Sequence, residues 1–279
     1  IYTGEDTLSL HDALPIWLGQ TPKLRKWTGP RSAQELRDEV ITLVNEEWET
    51  GIRIPLREWR RDKTGQLRVR VAELAAEIVE HPMSLIGQLL LANGNAYDGV
   101  AFYSGSHAVG GVTIDNDLGT GDGLAGGATP TVTQQATNIQ KLLQALLSFK
   151  GDQNTPLNRR AKGFTIMIPT NMLGATIGAL NDQFVSSGVS NTMQGIKAFG
   201  YTFSVIVNPD LDGVTNTMHM FRDDGRVKPF IYQEEVTNER GLDEGSEWAH
   251  LNNAVRWDVD VSCAAGYGRF EYAARGVLS

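Results

Sequence analysis

An amphipathic run sets the terms for this fold: Leu67, Val71, Leu74 and Ile78 fall at i, i+4, i+7 and i+11, with Glu73, Glu77 and Glu80 on other faces. The spacing predicts a long helix, and a helix with one apolar stripe must lie on other elements. Pro82 has no amide donor and disfavours helix at His81, so a kink or restart is expected there. Leu85, Ile86, Leu89 and Leu90 then carry the pattern to a stop at Gly94. From Gly94 to Pro130 glycine and small polar residues without periodicity predict loops, mobile around Gly119 to Gly127.

A second compact region is expected from Thr131 to about Val236, opening with a helix that carries Ile139, Leu142, Leu143, Leu146 and Leu147. Phe164 to Ile168 predicts a buried strand closed by Pro169, and Leu173 to Phe184 a helix with Ile177, Leu180 and Phe184 on one side. Tyr201 to Val207 predicts another strand, so helix and strand alternate as in a mixed α+β or α/β domain. Near the C-terminus Val255, Trp257, Val259 and Val261 alternate with Arg256, Asp258, Asp260 and Ser262, a half-buried strand. Tyr267, Phe270 and Tyr272 are expected on its antiparallel partner, with a glycine turn or bulge at Gly266 and Gly268.

The N-terminal third is different. The first 16 residues, IYTGEDTLSLHDALPI, lack the basic flank and long apolar stretch of a secretory signal. They resemble a translated sequencing-library adapter and are set aside. Trp17 to Arg31 combines Trp17, Trp27, Pro22 and Pro30 with basic residues, which suits an extended segment laid on another surface. Val40 to Arg60 alternates loosely and predicts a long, poorly buried hairpin, whose second strand enters a basic stretch of Arg53, Arg57, Arg60, Arg61, Lys63, Arg68 and Arg70. Only Glu58 and Asp62 interrupt it, so an acidic partner surface is expected.

Charge and composition narrow the function. The 279 residues hold 33 acids and 25 bases, a net charge of -8, which argues against nucleic-acid binding driven by overall charge. Arg beside Trp48 and Trp59 could bind phosphates and stack bases, but one basic stretch in an acidic chain suits a local acidic neighbour better. A single cysteine, Cys263, closes no intrachain disulfide, points to an intracellular folding compartment, and fits a buried core thiol. The most apolar run, Leu85 to Ala92, contains Gly87 and Gln88 and falls far short of the roughly 20 residues of a membrane span.

The usual chemical motifs are missing. GTGDGLAGG lacks the Lys-Ser/Thr ending of a phosphate-binding loop, and Asp115, Asp117 and Asp122 miss the calcium-loop spacing. No metal, cofactor or catalytic residue is expected. Asp98, Ser104, Ser106 and His107 supply the residue types of a serine-hydrolase triad without its Gly-x-Ser-x-Gly elbow.

Several blocks carry a family likeness: WLG then P-x-L-x-x-W-x-G-x-R in Trp17 to Arg31, AELAAEIVEHPMSLIGQLLLANG, YDGVAFYSGSHAVGG, VKPFIYQEE and AAGYGRFEYAARG. Together and in this order they resemble the major head protein of Mu-like phages and prophages, the gpT family. The resemblance implies an α+β Hong Kong 97-type tailed-phage capsid fold. Its parts would be an N-terminal arm over 17–37, an extended β-hairpin loop over 38–65, a peripheral domain with a spine helix over 66–132 and 239–279, and an axial domain over 133–238. It also implies self-assembly into hexamers and pentamers of an icosahedral shell enclosing DNA, not an enzyme, formed in the host cytoplasm and carried in the virion. Scaffold, maturation protease and portal proteins would be the partners, with no membrane. Expected at the subunit interface are Trp17, Trp27, Trp48 and Trp59 as apolar anchors and Arg57, Arg60, Arg61 and Lys63 as polar contacts. In some relatives a loop lysine links subunits covalently, and Lys63 would be that residue here. A nanocompartment shell with a protein cargo and, from another class, a hydrolase using Ser106 and His107 stay open as alternatives.

Overall fold

The computed structural model describes residues 16–18, 38–40, 43–151, 154–186, 188–242 and 244–279. Strands β1 (Ile16–Leu18) and β2 (Asp38–Val40) pair with each other, antiparallel. Strand β3 (Glu46–Pro55) runs into helices α1 (Leu56–Arg61) and α2 (Gln66–Ala92). A hairpin of β4 (His107–Val109) and β5 (Val112–Ile114) follows, then β6 (Asp117–Leu118), α3 (Val132–Ser148), β7 (Gly163–Ile168) and α4 (Leu173–Asn181). The hairpin β8 (Phe184–Ser186) with β9 (Val189–Ser190) leads to α5 (Thr192–Ala198), β10 (Thr202–Val207) and β11 (Thr217–Arg222). The chain closes with β12 (Phe230–Leu242), α6 (Glu247–Asn252), β13 (Ala254–Tyr267) and β14 (Ala273–Val277).

These elements form two compact units. One contains Thr42–Ile86 and Ile231–Gly266, the other Gly87–Phe230 and Tyr267–Ser279 together with β1 and β2. The expected segmentation had parted the chain near Val132 and Asn238. The glycine-rich stretch and the last 13 residues pack with the 133–230 region, because β6 and β14 complete its sheet.

In the first unit β13 is the middle strand of β12-β13-β3. Its antiparallel register with β3 runs from Ala254↔Pro55 to Cys263↔Glu46. Alternation puts Val259, Val261 and Cys263 on the inner face, where Leu74 and Leu85 of α2 and Tyr232 of β12 close the core. Trp48, Ile52, Ile78 and Trp257 pack at its margin. The stripe recognised in the sequence thus does cover a sheet. Pro82 lies inside α2, which continues through it, so the helix does not restart there. Proline there forfeits one bond to the Ile78 carbonyl, and burial of Leu74 on one side and Leu85 on the other outweighs that loss.

In the second unit a mixed sheet has the order β10-β7-β11-β14-β6. The outer pairs β10–β7 and β14–β6 are parallel, the inner ones antiparallel. Phe164, Ile166 and Ile168 of β7 are fully buried, as are Ile139, Leu142 and Leu146 of α3. Gly276 of β14 lets the two layers approach: a Cβ there would lie 3.4 Å from Leu142 and 3.0 Å from Leu124.

Three expectations are corrected. Val40 to Arg60 is not a hairpin: β3 pairs with the C-terminal β13, the Leu56–Arg61 segment is helical, and β2 pairs with β1. Tyr267, Phe270 and Tyr272 do not form a partner strand for β13. Residues Phe270–Tyr272 make a 3-10 turn, and the chain moves on to β14. Gly268 permits this because it passes against the Lys228 carbonyl, 2.7 Å from where a Cβ would stand. The helix from Leu173 ends at Asn181, and Phe184 is exposed on β8.

Candidate interaction surface

The basic stretch is built on a short helix and the turn that follows it. Pro55 precedes the first residue of α1 and Asp62 ends it. The Asp62 carboxylate then organises the turn into α2. Its Oδ1 accepts from the Thr64 amide (3.0 Å), the Thr64 hydroxyl (2.9 Å) and the Gly65 amide (2.8 Å), and its Oδ2 from the Leu67 amide (2.9 Å). These bonds, the Leu67 amide foremost, hold the Asp62 carboxyl below its ordinary pKa. Gly65 adopts φ +72°, which a side chain would resist.

With Asp62 committed to amides, its arginine neighbours face solvent. Arg57 and Arg61 stand one turn apart on α1 and line an open cleft of about 500 Å³ with Glu58, Asp62, Thr64, Gln66 and Leu67. Arg57, Arg61 and Lys63 are exposed, and among the described residues none of them has an ion-pair partner. Arg60 pairs with Glu244 at 3.1 Å, with 62% and 39% of the side chains exposed, a contact worth little by itself. Trp59 is half-buried, its ring 4.8 Å from Trp257, with the Arg68 guanidinium 5.9 Å above it. Trp48 meets the His81 ring edge-on at 4.6 Å and packs on its own core. The expected anchors therefore divide. Arg57 and Arg61 line one cleft, Arg60 turns to Glu244, Lys63 is exposed in the turn after α1, Trp59 packs against Trp257, and Trp48 serves the interior at the other end of β3. Trp17 lies on β1 opposite Glu39, and Trp27 lies outside the described residues.

A feature missed in the sequence lies on the outer face of the first unit's sheet. Glu47 and Glu49 alternate with the inward Trp48, and Glu49 stands opposite Asp260 on β13. Glu235 of β12 joins them through a 3.5 Å bond from Ser262, itself opposite Glu47. The Arg240 guanidinium reaches Asp260 only at 3.9 Å. The alternation in Glu-Trp-Glu was the available signal, but it became legible only with the register of β13.

The remaining chemical candidates have structural duties in the second unit. The His107 ring is fully buried and stacked 3.7 Å from Phe270. Its Nδ1 bonds the Asp98 carboxylate at 2.6 Å and its Nε2 faces the Phe102 carbonyl at 3.2 Å. No nitrogen is left for Ser106, whose hydroxyl pairs with that of Ser104 at 3.0 Å. That geometry contradicts a triad. Asp117 takes both arms of Arg275 at 2.7 and 2.6 Å, Asp115 accepts from the Asp117 amide, and Asp122 accepts from the Gly119 amide. Among the described residues no group of acids, histidines and cysteine is arranged to hold a metal. No described helix is long and apolar enough to cross a membrane. Cys263 is free and buried, and burial pushes its thiol pKa up.

Comparison with known proteins bears on the family likeness and the fold. Residues 13–125 match the family described as Mu-like prophage major head subunit gpT. The Mu-like prophage FluMu major head subunit of Haemophilus influenzae is 30% identical over 96 residues, covering 34% of this chain and 31% of that protein. The match thus spans under a third of that relative's length. Among solved structures, the capsid of cyanophage P-SCSP1u aligns with a TM-score of 0.61 at 10% identity, over 97% of this chain and 84% of that one. The capsid of Myoviridae phage XM1 aligns with a TM-score of 0.60 at 13% identity, over 100% and 90%. The bacteriophage JBD30 capsid aligns with a TM-score of 0.55 at 16% identity, over 72% and 86%. The fold is that of tailed-phage capsid proteins.

Proposed function

With the gpT head-subunit pattern over residues 13–125 and a tailed-phage capsid fold over the whole chain, we propose that this protein is a major capsid subunit. Copies of it join through heterologous contacts into five- and six-membered rings that close an icosahedral shell around phage DNA. It works in the virion by tiling and catalyses nothing. Scaffold, maturation protease and portal proteins are its assembly partners. The observation that carries this reading is the coverage: the alignments with two capsid proteins span 97% and 100% of the chain, alongside the head-subunit match over residues 13–125.

The polar contacts to a neighbour are assigned to Arg57, Arg60, Arg61 and Lys63, with Trp59 bracing them, and Lys63 is the candidate for any covalent link. Trp17 and Trp27 are assigned to the N-terminal arm as its apolar anchors. The test is electron microscopy of the protein produced with its scaffold: closed shells, rings or tubes are expected. A strictly monomeric protein at high concentration would overturn the reading.

A further inference from the structure

We propose that neighbouring copies meet through a two-point charge match, in which Glu47 and Glu49 of β3 on one copy engage Arg57 and Arg61 of α1 on the next. The proposal rests on the capsid reading and names the surface that answers its basic cleft.

Each half is incomplete within one chain. From Arg57 to Arg70 there are six bases, Arg57, Arg60, Arg61, Lys63, Arg68 and Arg70, against Glu58 and Asp62. The Asp62 carboxylate is saturated by four donors and is not free to neutralise the cleft. At the far end of β3 the segment Glu46–Glu49 has three acids and no base. Glu46, Glu47 and Glu49 are exposed, and none has an ion-pair partner among the described residues. Asp260 and Glu235 extend the acidic face.

The two halves cannot satisfy each other intramolecularly. The acids stand near the start of β3 and the arginines on α1, which follows its end, so the six residues from Glu49 to Pro55 in strand geometry hold them about 20 Å apart. A surface and its complement held apart on one subunit define a head-to-tail contact, which closes rings or continues as tubes. Their spacings also agree. Residues two apart on a strand put their side chains about 6.6 Å apart on one face, and residues four apart on a helix present theirs about 6 Å apart. Two carboxylates at strand spacing therefore meet two guanidiniums at helix spacing without distortion, each able to take the fork geometry that arginine prefers.

Four proteins test the match under conditions where the wild-type chain assembles: wild type, the pair Arg57→Glu with Arg61→Glu, the pair Glu47→Arg with Glu49→Arg, and all four changes together. Assembly is followed by sedimentation and electron microscopy. All four positions are exposed, so thermal midpoints should stay close to wild type. If a reversed protein does not fold, the neutral pairs Arg57→Gln/Arg61→Gln and Glu47→Gln/Glu49→Gln replace it, and equal loss from both is expected. Each double reversal should cut the yield of assemblies at least tenfold, and the quadruple variant should restore most of it. Normal assembly by either reversal, or a quadruple variant as defective as the doubles, overturns the match and means that Arg57 and Arg61 face something else, such as nucleic acid or a different protein. A wild-type chain that never assembles would instead refute the capsid reading beneath it.

Discussion

His219 shows how much one buried side chain can decide. It is 2% exposed on β11, its Nδ1 is 3.0 Å from the Tyr103 hydroxyl, and burial, aided by Arg275, lowers its pKa to about 3. The unfolded chain binds a proton at this residue near pH 6.5 and the folded one does not. Its contribution is therefore intact above pH 6.5 and is lost as pH falls toward 3, by at most roughly 1.4 kcal/mol per pH unit. His219→Asn keeps a partner for Tyr103 and removes the titration, so urea midpoints measured from pH 7 to 4 should flatten by about one proton. An unchanged slope would refute the assignment. Asn116 is the matching case among neutral groups. It is fully buried, donates to the Phe102 carbonyl at 2.8 Å and accepts from the Ser104 amide at 2.8 Å. Asn116→Ala orphans the Ser104 amide and leaves the Phe102 carbonyl only its 3.2 Å contact with His107, and should cost about 2 kcal/mol in a urea titration. Neither residue stood out in the sequence, since both roles depend on groups far along the chain or across a loop.

Among elements, α3 was the most legible. Its apolar periodicity runs from Ile139 to Leu146, and Thr131 with Gln134 makes a capping box at its start: the Thr131 side chain accepts from the Gln134 amide, and the Gln134 side chain accepts from the Thr131 amide. Thr131→Ala should lower stability by about 1 kcal/mol, read from the denaturation midpoint. In α2 the residue to change is Pro82. Because the helix continues through it, Pro82→Ala should restore a backbone bond and raise the thermal midpoint. A lowered midpoint would mean that the proline geometry is itself needed by the packing of α2. The strand β3 was misjudged for a reason that applies widely. Alternation shows which residues share a face but not which strand lies alongside, and the partner of β3 is 199 residues away at Ala254↔Pro55.

For the molecule as a whole, the proposed match between the acids of β3 and the arginines of α1 predicts that association responds to salt more strongly than folding does. Raising the ionic strength from about 0.1 to 1 M shortens the screening length from about 10 to 3 Å. The rate of assembly should then fall several-fold by light scattering while the thermal midpoint of the unassembled protein moves little. A rate indifferent to salt would count against a charge-led contact. The folding units tell a related story. The glycine-rich stretch was expected to be mobile, yet Asn138 of α3 holds Ala125 through bonds of 3.2 and 2.9 Å, and β6 adds to the sheet beside β14.

Periodicity, the lone cysteine and the position of basic residues were all local properties, so the order of residues was enough to reveal α2, α3, the apolar strands, the missing catalytic motifs and the head-protein likeness, but not the short helices α1, α5 and α6. Strand partners, the division into two units, the cleft between α1 and α2 and the acidic face that lies about a strand's length away required the folded chain. Each of these depends on contacts between segments separated by dozens to hundreds of residues, and nothing in the local pattern around Glu47 or Arg57 records which distant segment will lie beside it.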